Sequence, residues 1–99
     1  MKTKKLFIIL LSCFFASSIS ATVHTINAGN YSYTPASLNI NFGDTVNWIN
    51  LGGNHDVNAD INSQTQQSFG NPISFQSSTT NTTNAIIYTH IFTVAGTYN

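Results

Sequence analysis

An alternating apolar pattern, interrupted once by a Gly-Asp pair, constrains the fold of this chain more than any other feature. In residues 38–42, apolar side chains alternate with asparagines, which is the period of a half-buried β-strand. Gly43-Asp44 favours a tight turn, because glycine tolerates positive φ and aspartate accepts hydrogen bonds from nearby backbone N–H groups. Residues 45–49 alternate again and place Trp48 on the apolar face. The sequence therefore predicts a β-hairpin with its turn at Gly43-Asp44.

Three further segments have the character of β-strands. Residues 22–28 alternate and predict the first strand, residues 73–77 predict a short one, and residues 86–94 are rich in β-branched and aromatic side chains. Residues 58–68 have no sustained period and predict a loop with at most one short helical turn. Because no segment shows the apolar period of an α-helix, the predicted class is all-β. Short strands separated by turns favour a Greek-key β-sandwich.

Two blocks of the sequence resemble the copper-binding cupredoxins of the plastocyanin and azurin type. Residues 43–50 read Gly-Asp-Thr-Val-Asn-Trp-Ile-Asn, similar to the family pattern Gly-Asp-Thr-Val-x-Trp-x-Asn. Residues 55–57 read His-Asp-Val, where the family has His-Asn-Val. Residues 88–98 end in Gly-Thr-Tyr and look like the penultimate strand of the family and the turn after it. The resemblance implies a cupredoxin-like Greek-key sandwich.

The resemblance also implies a type 1 copper site with His55 as its first ligand. Such a site needs a soft thiolate and two imidazoles in a trigonal plane, with a weak axial ligand. In the family a Cys, a second His and often a Met follow the Gly-Thr-Tyr turn, whereas this sequence ends at Asn99. We therefore expect residues 21–99 to be an incomplete cupredoxin-like domain that lacks its last strand. An ordinary loop histidine is the alternative interpretation of His55.

Other side chains near these motifs have structural roles as their first interpretation. His24 and His90 lie in predicted strands, and we do not expect either to bind metal. Asp56 replaces the usual family Asn, and two interpretations stay open for it. It either accepts backbone hydrogen bonds that join the ligand loops or is a solvated loop carboxylate. Trp48 is predicted to pack between two sheets, with electron tunnelling as the alternative.

Residues 1–20 have the pattern of a signal peptide. Three lysines lie among residues 2–5, an apolar run covers residues 6–16, and small residues follow it. The apolar run is shorter than the ~20 residues that a membrane-spanning helix needs. We expect cleavage after Ser20, or alternatively after Ala21, and export to the periplasm or the extracellular space.

The predicted leader contains every lysine and the single cysteine, Cys13, and the chain has no arginine. The exported part would carry only Asp44, Asp56 and Asp60 as ionised side chains, which gives no electrostatic footprint for nucleic acid. It would also have no disulfide. Lipid attachment at Cys13 is the less favoured alternative, because the apolar run continues past it.

The leader pattern predicts export, and the resemblance to cupredoxins implies a copper protein that carries single electrons between redox protein partners. We expect a monomer without a membrane span. No nucleophile and base are paired and the chain has no Glu, so we do not expect an enzyme. The alternative is a non-metal β-sandwich module for adhesion or assembly at the cell surface, since Gly-Asp-Thr-Val patterns also arise there by convergence.

Overall fold

The computed structural model describes residues 21–99, which form one four-stranded mixed β-sheet. Its strands are β1 (Val23–Gly29), β2 (Ser32–Thr34), β3 (Thr45–Asn50) and β4 (Ile86–Ile91). Their order in space is β2-β1-β3-β4, with β1 parallel to β3 and the other two pairs antiparallel. This part of the chain contains no helix, and hence none long and apolar enough to cross a membrane. The all-β prediction is confirmed.

The predicted signal peptide, with Cys13 in it, lies outside the described residues. The signal peptide and the alternative of lipid attachment at Cys13 therefore remain predictions.

The predicted hairpin over residues 38–49 is wrong, although its turn is present. The N–H of Asp44 donates to the C=O of Asn41 at 3.0 Å, and Gly43 between them has a φ of 88°. Residues 38–42 nevertheless form no strand. The reason is topological: β3 has β1 along one edge and β4 along the other, so no edge is left for residues 38–42.

The strands predicted over residues 22–28 and 86–94 are confirmed in position but differ in extent, whereas the short strand predicted over residues 73–77 is wrong. β1 begins at Val23 and continues through Gly29, whereas β4 ends at Ile91, three residues before the predicted end. Residues 73–77 form no strand. Their backbone instead makes two hydrogen bonds to the loop after β3. The N–H of Ala59 donates to the C=O of Phe75, and the N–H of Ser77 donates to the C=O of Val57, both at 2.8 Å.

The hydrophobic core lies on one face of the sheet. Val46 and Trp48 are 1% and 9% exposed, which confirms that they share a buried face. The Trp48 ring lies 5.9 Å from that of Phe75 and 6.2 Å from that of Tyr88, measured between centroids. No second sheet covers this face within residues 21–99.

An open cavity of about 760 Å³ lies against the core face of the sheet. Its floor includes Val46 and Trp48, and residues 35–42 and 94–99 contribute to its walls. Phe42 lines this cavity and is 75% exposed. The core is therefore covered by irregular segments and remains partly open.

Candidate functional site

The loop after β3 places His55 beyond the carboxyl end of that strand. Gly52 and Gly53 have φ values of 145° and 79°, conformations that glycine adopts far more readily than other residues. The backbone of His55 is then held by Thr80, with N–H to C=O distances of 2.9 Å in both directions. The glycine conformations and the two bonds to Thr80 therefore fix the position of the loop segment that carries His55.

The ring of His55 has a defined orientation. Its Nε2 donates to the C=O of Gly52 at 2.8 Å, and this nitrogen carries the proton because a carbonyl oxygen can only accept. The other ring nitrogen, Nδ1, makes no hydrogen bond to any residue in the described range. Metal-binding histidines commonly donate their second ring N–H to a backbone carbonyl in this way. His55 therefore fits the role of one metal ligand through Nδ1.

Asn50, to which sequence reasoning assigned no role, organises the loop around His55. Its side chain is fully buried; the Nδ2 group donates to the C=O of Gly53, and Oδ1 accepts from the N–H of Gly52, both at 2.9 Å. Its backbone C=O and N–H bind Asn84 and Ala85, at 2.6 and 2.9 Å. The sequence did contain a signal for this role. Asn50 stands at a strand end two residues before Gly52, and asparagine side chains often form hydrogen bonds to the backbone two residues further along the chain.

Asp56 contacts the sheet through its backbone. The hydroxyl of Tyr33, in β2, donates to the C=O of Asp56 at 2.7 Å. Burial, and secondly the charge of Asp56, raise the pKa of Tyr33. Among residues 21–99 no backbone N–H donates to the Asp56 carboxylate, so the hydrogen-bonding interpretation of this side chain is not supported by the observed contacts.

The other two histidines lie near the opposite end of the sheet. His24 and His90 both pair with Val46 near the start of β3, whereas His55 follows the end of that strand. His90 stacks on Phe75, with centroids 4.0 Å apart, and burial lowers its pKa. The prediction that His90 lies in a strand is confirmed, and its ring is used in packing.

His24 forms a hydrogen-bonded pair with the buried carboxylate of Asp44. The His24 Nε2–H donates to Oδ2 at 2.8 Å, while the N–H groups of Thr22 and Asn41 donate to Oδ1 and Oδ2 at 2.9 and 3.0 Å. The bond from Thr22, followed by those from His24 and Asn41, lowers the pKa of Asp44 to about 2. This pair closes the turn before β3 and leaves His24 far from His55.

Within the described residues, no three His, Cys, Asp or Glu side chains lie together in an arrangement that could hold a metal ion. What the loop after β3 provides is one oriented imidazole, that of His55. No protein-family model, curated protein sequence or solved structure matches this chain. The resemblance to cupredoxins accordingly rests on the residues of this chain alone.

Proposed function

We propose that this chain is the scaffold of an exported copper-binding electron-transfer protein, with His55 as one copper ligand. The observation that supports the proposal is the His55 ring, whose Nε2–H is bound to the Gly52 carbonyl while Nδ1 makes no bond within residues 21–99. Copper, when bound, would supply a one-electron redox couple. Asn50 and Gly52 would keep the imidazole in place, which suits a metal that changes charge with little movement of its ligands.

The proposal requires a thiolate and a second imidazole from outside residues 21–99. It also requires a further β-strand to complete a Greek-key sandwich. The open cavity offers a place for that strand, since residues 38–42 line it and have no strand partner.

The first experiment is a titration of the isolated chain with Cu²⁺, followed by electron paramagnetic resonance and by NMR of the histidine rings. We expect the His55 signals to broaden first, and His55→Ala to abolish this binding. His90→Phe is the matched control, because it removes an imidazole but keeps an aromatic ring on Phe75. Copper binding that survives His55→Ala would refute the ligand assignment.

A second experiment supplies the further ligands that the proposal requires. A cupredoxin ligand loop and final strand, joined after Asn99, should produce the intense blue thiolate-to-copper band. Residues 21–99 without the extension should give no such band, because they contain no cysteine. Introducing His55→Ala into the extended protein should abolish the colour. A strong blue band in the unextended chain would contradict the proposed ligand set.

The same cavity supports the second candidate, a non-metal module for adhesion or assembly. An extended segment of another protein could occupy the space beside residues 38–42 and add a strand there. Copper binding distinguishes the two candidates. An assembly module would bind no copper at His55, either in the isolated chain or in the chain extended after Asn99.

A further inference from the structure

β4 is an edge strand without the protective features that usually prevent edge pairing. Its six residues form one margin of the sheet. Beyond the ladder with β3, no backbone hydrogen bond from residues 21–99 reaches residues 86–91. Residues 61–99 contain no Lys, Arg, Asp or Glu, and residues 86–91 contain no proline. Charged side chains and proline are the means by which proteins usually protect such edges.

Exposed apolar side chains accompany the unpaired backbone of β4. Ile86 and Ile91 are each 56% exposed, and Thr89 lies exposed between them. A register shift opposite Trp48 and Ile49 leaves Ile87 as a bulge, which disturbs only the beginning of the strand. The part from Tyr88 to Ile91 keeps regular pairing geometry and can accept another strand.

The opposite margin of the sheet is protected. β2 has only three residues, and Pro35 follows it directly. Very short edge strands and proline both prevent the addition of another strand. The two margins of one sheet thus differ, and only the β4 margin can be extended.

We propose that two copies of this chain associate through antiparallel pairing of their β4 strands, which makes one continuous eight-stranded sheet across a two-fold axis. A second copy is the favoured partner because the edge is uncharged, so identical edges do not repel each other, and a two-fold contact is self-complementary. Centring the contact on Thr89 keeps most of the pairing clear of the bulge. Because the β2 margin is protected, assembly stops at the dimer.

This proposal is independent of copper, and it replaces the expectation of a monomer with a dimer. Its first test is sedimentation of the isolated chain over a hundredfold range of concentration. We expect a reversible monomer–dimer equilibrium without larger species. Thr89→Lys should shift this equilibrium strongly toward monomer, because two like charges would lie opposite each other at the axis.

Matched variants distinguish the possible interfaces. Ser32→Lys on the β2 margin and Phe42→Lys at the cavity should leave the dimer intact. In a Cys13→Ser background, Thr89→Cys should form a disulfide-linked dimer on mild oxidation, whereas Ser32→Cys should not. A chain that stays monomeric at every concentration would overturn the proposal. So would open-ended assembly, or a dimer that Phe42→Lys dissociates and Thr89→Lys does not.

Discussion

At the scale of single residues, three short polar contacts determine the conformation of the loops at the two ends of β3, the candidate site among them. Asn50 holds the Gly-Gly loop, the Gly52 carbonyl orients the His55 ring, and Asp44 closes the turn before β3. Each contact uses a side chain or carbonyl close in sequence to the motif it supports. The local sequence therefore contains most of the information for the loop.

Asn50→Ala should loosen the His55 loop and destabilise the fold. The substitution removes the hydrogen bonds to the Gly52 N–H and the Gly53 C=O, and a typical intramolecular hydrogen bond contributes about 0.5–1.5 kcal/mol. Denaturant unfolding measures the loss. Asn54→Ala, an exposed position in the same loop, is the control and should change little. Equal effects of the two substitutions would refute the role of Asn50.

Asp44 should make the stability of the fold sensitive to acid. Its pKa falls from the usual 3.8 to about 2 in the folded state, so the ionised carboxylate stabilises the fold. This contribution is complete above the unfolded-state pKa and is lost as pH falls through the folded-state value. Unfolding measured from pH 6 down to about pH 2 should show a loss of stability that Asp44→Asn largely removes. Asp60→Asn should retain it; an unchanged acid response in Asp44→Asn would contradict this account.

At the scale of elements, apolar alternation predicts strands well only where the strand finds a partner. β3 and β4 have both the pattern and neighbours, whereas residues 38–42 have the pattern alone. Residues 73–77 likewise contact the sheet through Phe75 rather than through a ladder. An alternating sequence pattern thus indicates that a segment can form a strand, and the strand forms only where a neighbouring strand is available to pair with it.

Trp48→Ala should destabilise the fold strongly, because the side chain is packed on the core face of β3 against Phe75 and Tyr88. Deleting a buried large aromatic side chain costs ~3–5 kcal/mol, against a total stability of ~5–15 kcal/mol for a typical domain. Phe42→Ala, at an exposed aromatic position, is the control. The electron-tunnelling interpretation would instead require unchanged stability and slower electron transfer in the copper-loaded extended protein.

At the scale of the whole molecule, the sheet has a core face that residues 21–99 cover incompletely. The cavity of about 760 Å³ beside Val46 and Trp48 leaves apolar surface accessible to solvent. A domain of this size buries a modest share of its surface, so a partly open core leaves little stability.

We expect residues 21–99 alone to be poorly stable and to bind a hydrophobic dye. Extension by a final cupredoxin strand should raise the melting temperature and reduce dye binding, because the strand would fill the cavity. Thermal unfolding and dye fluorescence measure both effects. A sharp, reversible thermal transition without dye binding would contradict this expectation.

The sequence by itself determined the all-β class, the turn at Gly43-Asp44, the buried face of β3 and the position of His55 after that strand. These features depend on side-chain period and on turn residues, which act over a few neighbouring positions. Only the tertiary structure decided which strands are neighbours, because pairing is a contact between segments distant in sequence. Parallel pairing of β1 with β3 occupied the edge that the hairpin would have used. The same contacts separated His24 and His90 from His55 and left β4 as an open margin.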